Sequence, residues 1–569
     1  MSSAQFPDAP EPETAETISH PAGFGRASVL LASGTLVSRA VGFISAIVLA
    51  NTIGTQLAAS NTFTIANQLP NNIYAIIAGG LLSAILVPQI VRAGVDKDGG
   101  EKFINRVITL GVVVFLAITI VATLCGPLLV QLYGSQQAEH SGRGLSGADI
   151  SLATAFAYWC LPQIFFYALY SLLGEVLNAR KIYGPFSWAP AVNNVVAVIG
   201  LLVFNLIFGS VGSDSSLGDS TAWTPGMIAV LAGTATLGVA AQGGFLILFW
   251  RRLGIRFHPE FRWRGVGLGK VGKAAGWTFA MILITQLAGI VQSKVASSAG
   301  DHNPSNTVLK NAWLIMMLPH GIITLPIMTP YFTRMAGHVH RGDLDALRHD
   351  FTTSLRSVGV LVSLAGAALI VLAYPFSAVF SHTFAETQGM AIVVIAYLVG
   401  LIPSVVLFII QRTFYALEDT RTPFLFQTFQ SVLFVSGAMI AAQLGRADIA
   451  LGIAIVTTIA GIIQTVLAAV LLKRRIGHLG TWVVIRSYLV FLLALIPASA
   501  AGVGLDVALG AFRGGFAVSS IPTAVVSLIV IGTAMAIVYF AALALLRAPE
   551  FTALAQPIYR RLRRGIPKP

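Results

Sequence analysis

The chain has 569 residues, of which 56% are hydrophobic and only 10% are charged, with a mean hydropathy of +0.79. Because soluble proteins carry about 25% charged residues, this composition excludes a soluble globular protein. The net charge of +13 does not indicate a nucleic-acid partner, because the basic residues lie between long apolar runs.

Residues 1–25 precede the first apolar run and are polar, so we predict a disordered tail there. Beyond this tail, apolar runs of about twenty residues or more recur, each long enough to cross a hydrocarbon core of roughly 30 Å as a helix. They predict an all-α membrane protein with about 14 transmembrane helices. The predicted spans are 28–53, 62–91, 104–133, 151–177, 186–209, 226–250, 275–297, 307–334, 352–381, 388–412, 424–443, 449–472, 484–505 and 519–546.

Basic residues alternate sharply between successive connections. One set of connections is rich in arginine and lysine, whereas the other holds Arg143, Arg446 and Arg513 besides Lys294 and Lys310. Basic residues mark the cytoplasmic side, so we predict a multi-pass protein with both termini cytoplasmic. The basic tail at 549–569 fits that side, close to anionic membrane lipids.

A weak internal repeat divides the chain into halves about 240 residues apart. The matching landmarks are Pro70, Pro88 and Arg92 in the first half and Pro319, Pro330 and Arg334 in the second. The offset covers six helices, which predicts two six-helix lobes related by a pseudo-twofold axis along the membrane normal. The predicted units are an N-lobe at 26–255, a C-lobe at 256–475 and two extra C-terminal helices at 476–548.

Polar residues at membrane depth are the candidate cargo site. Span 2 carries Ser60, Thr64, Asn67, Asn71 and Tyr74 at helical spacing, and lipid cannot satisfy such groups, so this stripe should face the bundle interior or water. We predict cargo contacts for Asn67, Asn71 and Tyr74.

Span 1 places a charge, Arg39, near the middle of the membrane, beside Ser38. A charge there is costly unless it is solvated or paired. Two interpretations stay open for Arg39: binding of an anionic head group in a wet cavity, or a structural bond to an acid or a carbonyl. Lys294 and Lys310 flank the outer loop between spans 7 and 8, and either contact cargo or extend to the membrane surface.

Glycines and prolines inside the spans predict bending, since proline removes a backbone donor. We expect spans 2 and 8 to bend and to line the cavity. The predicted hinge and cavity-lining residues are Gly42, Pro70, Gly80, Pro88, Pro319 and Pro330.

Catalytic motifs are missing from the sequence: it has neither a Walker-type phosphate loop nor an HExxH motif, and its histidines are scattered. We therefore predict a transporter rather than an enzyme, with no resident cofactor or metal. His320, after Pro319, is interpreted as a helix-break residue. The sequence leaves open coupling to the membrane potential or to a monovalent cation.

Four motifs resemble the MurJ/MviN family of lipid II flippases in the MOP superfamily. They are Leu36–Phe43 (LVSRAVGF), Asn67–Asn71 (NQLPN), Gly80–Pro88 (GLLSAILVP) and Arg412–Pro423 (RTFYALEDTRTP). The last is the most specific, and its predicted family-motif residues are Arg412, Tyr415, Asp419, Thr420 and Pro423. The resemblance covers nearly the whole chain.

The resemblance implies two lobes that alternate between inward-open and outward-open states, around a cationic cavity for the diphosphate of lipid II. It implies that cargo moves from the cytoplasmic to the outer leaflet of the bacterial plasma membrane, with the lipid tail in a groove formed by the last two helices. It also implies membrane lipids and cell-wall synthesis enzymes as partners.

Departures from the family pattern keep other functions open. Family members commonly carry further charges where this chain has Ser45, Ser60, Tyr74 and Leu314, and we hypothesise that Lys310, one turn from Leu314, replaces a lost charge. The alternatives are a flippase for another polyprenyl-diphosphate glycan, a drug or metabolite antiporter of the same superfamily, and a non-transporting scaffold. An antiporter would need a deep acidic residue, for which Glu175 is a weak candidate.

Overall fold

The computed structural model describes residues 22–93, 100–136, 144–180, 182, 184–212, 215–250, 257–261 and 268–552. Within these ranges, the side chains of 22–32, 77–93, 215 and 268–275 are not described. The predicted tail at 1–21 and most of the basic tail, from residue 553 onward, lie outside the described residues. The first helix begins at Ala22, inside the segment predicted as tail.

The described chain is helical, with short connections. Its α-helices are α1 Ala22–Ile53, α2 Ala58–Ala93, α3 Glu101–Leu124, α4 Gly126–Tyr133, α5 Gly147–Cys160, α6 Gln163–Ala179, α7 Gly184–Phe208, α8 Pro225–Trp250, α9 Leu268–Ser297, α10 Asn306–Pro319, α11 Leu325–His340, α12 Leu344–Val371, α13 Ala373–Ala378, α14 Phe384–Val399, α15 Leu401–Ala416, α16 Arg421–Ala441, α17 Ile449–Ile476, α18 Thr481–Ala508 and α19 Ile521–Leu545. A π-helical turn, His320–Thr324, joins α10 to α11.

The prediction of about 14 transmembrane helices is confirmed. Twelve segments of the described chain are long and apolar enough to cross a membrane, and α14 with α15, bent by 41°, forms a thirteenth. The polar-striped α2 is a further helix of span length. We call the end of the bundle where α1 ends and α2 begins the outer end, and the opposite end the inner end.

The first eight helices pack into one lobe. Helix α1 lies along α7, and α2 packs against α5 and α6. The close approach of α1 to α7 needs glycine, because a Cβ at Gly42 would lie 2.9 Å from the Asn194 amide nitrogen. Phe63, Phe156 and Trp223 stack edge to face at the centre of this lobe, with ring centroids 5.2 to 5.4 Å apart.

Helices α9 to α17 pack into the second lobe. In each lobe, the helices of two corresponding spans are interrupted. The first lobe breaks between α3 and α4 and between α5 and α6, and the second between α12 and α13 and between α14 and α15. The last two helices, α18 and α19, form a hairpin on α12 and α13. Tyr539 of α19 donates a hydrogen bond to the Val360 carbonyl of α12, 2.9 Å away.

The prolines predicted that spans 2 and 8 bend. Span 8 is interrupted after Pro319, whereas span 2 forms one continuous helix, α2. Pro319 ends α10 and the π-helical turn follows it. Pro70 and Pro88 lie inside α2, which runs unbroken from Ala58 to Ala93. One missing donor loosens a turn without ending the helix, because the turns before and after it keep their own hydrogen bonds.

Candidate functional site

Hydrogen bonds join the two lobes at the outer end. The Thr64 and Thr307 hydroxyl oxygens are 2.9 Å apart, and Thr307 donates to the Ser60 carbonyl, also at 2.9 Å. Asp301 accepts from the backbone N–H of Ala58 at 2.8 Å. We call this contact between α2 and the start of α10 the outer gate. The space between the lobes is therefore closed at the outer end.

Two further bonds from the end of α1 extend this closure. Asn51 donates to the Val379 carbonyl and Gln56 to the Glu386 carbonyl, each at 3.0 Å. A surface pocket of about 540 Å³ lies beyond them, lined by Gln56, His302, Glu386 and Asp448 among others.

Lys310 lies inside the outer gate, whereas Lys294 is exposed at the end of α9. Lys310 lines a cavity of about 10 Å³ with Thr64, Thr307 and Asn311, which is room for roughly one water molecule. In the described part of the chain Lys310 has no ion pair with an acid. In this state its ammonium faces the first lobe but has no room for a lipid head group.

The polar stripe of α2 becomes more accessible towards the inner end. Ser60 and Thr64 are buried, Asn67 and Tyr74 are half-buried and Asn71 is exposed. This gradient fits a space that widens away from the outer gate.

Two stripe residues have partners within the first lobe. Asn67 accepts a hydrogen bond from Gln163 at 3.1 Å, and Gln163 also donates to Thr236. Tyr74 stacks on Tyr167, with ring centroids 5.7 Å apart. Asn71 is therefore the member of the predicted cargo set on α2 that is most accessible.

Arg39 reaches from α1 to the second lobe. The Ser38 carbonyl accepts from Asn194 of α7 at 3.0 Å, which fixes this part of α1 on its own lobe. The Arg39 guanidinium lies directly against Gly321 in the π-helical turn, where an added Cβ would overlap it. Its Nε is buried and has no hydrogen-bond partner among the described residues.

Two more basic side chains lie near Arg39 on this side of the second lobe. Arg412 of α15 lies over the rings of Phe408 and Phe332, 5.0 and 5.4 Å from their centroids. His320 packs edge-on against Phe408 at 4.7 Å, within electrostatic range of Arg39 and Arg412. We call Arg39, His320 and Arg412 the cationic cluster, a name that refers to its two arginines.

The cationic cluster has the chemistry of an anion site. Neither arginine forms an ion pair with an acidic residue in the described ranges. Guanidinium groups bind phosphate oxygens through paired hydrogen bonds, most strongly where water is scarce. Because Arg39 belongs to one lobe and Arg412 to the other, an anion held here would contact both lobes.

Sequence reasoning found Arg39 but not the rest of this cluster. His320 was predicted to break a helix, and it does begin the π-helical turn, but its proximity to two arginines is a tertiary feature. Arg412 was assigned to a family motif without a contact. Its four-residue spacing from Phe408, which puts both on one face of α15, is the signal that could have been used.

The rest of that motif builds the turn between α15 and α16. Asp419 accepts from the Thr422 N–H at 2.9 Å and from its hydroxyl at 2.7 Å, and Pro423 is buried in the first turn of α16. Glu418 before it has a φ of 58°. Tyr415 is half-buried near the end of α15, and Thr420 occupies the position before α16.

The predicted hinge residues fall into three groups. Gly42 lies against Asn194, and Pro70 and Pro319 are buried in their helices. Pro330 is exposed inside α11. Gly80 and Pro88 belong to α2, in the stretch whose side chains are not described.

Metal ligands do not cluster in the ranges that the structure covers: no three His, Cys, Asp or Glu side chains there are placed to hold an ion.

Comparison with known proteins assigns the chain to a family. A sequence model of the family described as "Lipid II flippase MurJ" matches residues 49–540. The chain belongs to the MurJ family. The resemblance read from the four motifs is therefore confirmed.

Curated relatives agree over most of their length. A protein of Vibrio cholerae named "Probable lipid II flippase MurJ" is 24% identical over 408 residues, which cover 70% of this chain and 74% of the relative. A protein of Rhizobium meliloti with the same name is 26% identical over 457 residues, 78% of this chain and 80% of the relative.

Solved structures show the same fold. One titled "Lipid II flippase MurJ, inward closed conformation" aligns with a TM-score of 0.67 at 18% identity, covering 91% of this chain and all of that one. An inward-facing multidrug transporter of the MATE family and MOP superfamily aligns at 0.61 and 15% identity, covering 79% and 99%. The chain is thus a multi-pass membrane protein of a transporter family, with the MOP fold.

Proposed function

We propose that this protein flips lipid II from the cytoplasmic to the outer leaflet of the bacterial plasma membrane by alternating access. The observation that carries the proposal is the cationic cluster, where Arg39 crosses from one lobe to the other without an acidic partner. MurJ family membership supports lipid II as the cargo. The inner end faces the cytoplasm in this proposal, as the basic connections predict.

The diphosphate of lipid II is the group that the cationic cluster would bind. A charged arginine at membrane depth is costly when it is unpaired. A dianionic diphosphate would offset that cost and would itself need positive charge in a site with little water. The sugar and peptide part would lie along the accessible part of the α2 stripe, near Asn71.

Release to the outer leaflet requires the outer gate to open. The bonds between Thr64, Thr307 and Ser60 would break, and Lys310 would then gain access to the space between the lobes. In this sequence of events Lys310 supplies positive charge on the outer half of the path, as we hypothesised from the missing family charges.

A rescue experiment tests the proposal. The gene would be placed in a bacterium depleted of its own lipid II flippase, as wild type, as Arg39→Ala, and as Arg513→Ala, which removes an exposed arginine of an outer loop. We expect wild type and Arg513→Ala to restore growth and Arg39→Ala to fail at equal membrane abundance. If well-expressed wild type neither restores growth nor exposes lipid II, another polyprenyl-diphosphate glycan becomes the better cargo. If Arg39→Ala rescues fully, the cationic cluster is not the cargo site.

A further inference from the structure

A buried acid without a partner lies outside the lobe interface. Asp506 is in the last turn of α18 and is 0% exposed. Neither of its carboxylate oxygens has a hydrogen-bond partner among the described residues. A buried ionisable group without a partner often marks a functional site, because leaving it buried is costly.

Asp506 lies on the face of α18 that packs on the second lobe. Gly502, one turn earlier on the same face, would place a Cβ 3.2 Å from Val371 of α12 and 2.5 Å from Met535 of α19. Leu372, Ile531 and Met535 form an apolar cluster at this junction, packed against Leu505, Leu509 and Leu528. The carboxyl group is therefore enclosed by three helices rather than exposed to lipid.

Two hydroxyl groups near the outer end of the same elements are also unsatisfied. Ser377 of α13 and Ser527 of α19 are both 0% exposed, and the Oγ of each lacks a partner in the described ranges. Helices α13 and α18 both pack against α19. One carboxyl and two hydroxyl groups, on α19 and on helices that pack against it, thus lack hydrogen-bond partners among the described residues.

Charged groups that could pair with Asp506 are absent from the elements packed against it. Helices α13 and α19 contain no acidic, basic or histidine residue, and the last charged residue of α12 is Arg356, four turns before Val371. Arg513, in the turn after α18, is exposed. Of the tyrosines, Tyr374 stacks on Phe512 and Tyr539 bonds to Val360.

We propose that Asp506 is a proton-binding site, which holds the α18–α19 hairpin on the second lobe when it is neutral. A buried carboxyl with no cationic partner becomes neutral by taking up a proton. Asp506 is two residues from the outer end of α18, so the proton comes from the outer aqueous phase. A sodium ion fits less well, because hard cations need several oxygen ligands and the helices already use their carbonyls. If the protein flips lipid II, the rate of flipping should then depend on the outer pH. That consequence rests on the proposed function, whereas proton binding itself does not.

Labelling with a hydrophobic carbodiimide tests proton binding directly, because this reagent modifies protonated carboxyl groups in apolar surroundings. The full chain in lipid nanodiscs would be labelled from about pH 5 to about pH 9 and the modified residue located by mass spectrometry. We expect label on Asp506 that falls by about tenfold per pH unit as the acid ionises, with no protection by sodium. Exposed Asp345 serves as an internal control that stays unlabelled at neutral pH.

Infrared spectroscopy detects the protonated carboxyl group even if the carbodiimide cannot reach Asp506. The carbonyl band of a protonated carboxylic acid should be present in wild type and lost in Asp506→Asn. No label on Asp506 at any pH together with no such band would overturn the proposal, as would protection by sodium.

A transport assay in proteoliposomes tests the consequence separately. The rate of lipid II flipping should depend on outer pH in wild type and not in Asp506→Asn, which imitates the neutral acid. If wild type and Asp506→Asn depended equally on the outer pH, proton binding at Asp506 would not control flipping. Wild type that flips no lipid II would instead contradict the proposed function, and the labelling result would still stand.

Discussion

At the scale of single residues, Gly321 decides where the Arg39 guanidinium lies. Any side chain at this position would overlap that group. Glycine therefore lets an arginine of one lobe touch the backbone of the other, which brings Arg39 near His320 and Arg412.

Replacing this glycine should weaken flipping without removing a charge. In Gly321→Ala the new methyl group displaces Arg39 from the cationic cluster, and we expect the initial rate of lipid II exposure in proteoliposomes to fall by about tenfold, because small misplacements of binding groups are costly. Gly289→Ala in α9 is the matched control, since a Cβ there meets nothing within 4 Å. Equal rates for the two variants would show that the position of Arg39 does not matter.

The sequence predicted the residues of the site better than their contacts. Arg39 could be recognised because a charge at mid-span is costly wherever it occurs. The convergence of Arg39, His320 and Arg412 could not, because it depends on how α1, α15 and the π-helical turn pack together. Lys310 was predicted to contact cargo, and its place inside a closed gate depends on the conformational state.

At the scale of helices, a charged contact ties the C-terminal end of the hairpin to the second lobe. Arg356 of α12 donates to Glu550 at 2.8 Å, and Ser487 of α18 donates to the same oxygen at 2.7 Å. Burial alone would raise the pKa of Glu550, but the bonds from Ser487 and Arg356 outweigh it and hold the pKa below its usual value.

This contact should make stability depend on pH on the acid side. A carboxyl group with a lowered pKa in the folded state stabilises the protein above its unfolded pKa, and the stabilisation is lost as the pH falls through the folded pKa. We expect Arg356→Gln to reduce the free energy of unfolding at neutral pH by about 1–3 kcal/mol, because Glu550 loses its cationic partner.

Thermal unfolding in detergent at neutral and acidic pH measures this effect. The loss in Arg356→Gln should shrink towards low pH, where Glu550 is protonated in both proteins. Arg513→Gln, at an exposed position, should unfold like wild type throughout. A constant loss at every pH would mean that Arg356 stabilises by packing alone.

Hydropathy predicted where the helices run but not where they break. All fourteen predicted spans correspond to helical segments, because a run of apolar residues reports the length of a membrane crossing. The breaks after α3, α5, α12 and α14 were not predicted. A short kink does not change the average hydropathy of a span, so only the prolines near some of these breaks gave a signal.

At the scale of the whole molecule, two polar contacts join the lobes, beside the packing of α2 on α9 and of Phe43 on Phe376 and Phe380. The outer gate joins them through hydrogen bonds, and the cationic cluster brings Arg39 of one lobe near Arg412 of the other further inward. Binding of a diphosphate would neutralise the second contact, while opening requires the first to break. In the proposed transport cycle, the inward-open and outward-open states would therefore differ in which of these two polar contacts is favoured.

Crosslinking the outer gate tests this account most directly. Thr64→Cys with Thr307→Cys, in a chain whose Cys125 and Cys160 are replaced by Ala, would place two thiols where two hydroxyl oxygens now lie 2.9 Å apart. The measurement is the rate at which lipid II reaches the far leaflet of proteoliposomes, with each single-cysteine variant as a control. We predict that oxidation stops flipping in the double variant alone and that a reductant restores it. If the crosslinked protein flips lipid II as fast as the reduced protein, the cargo does not pass through the outer gate.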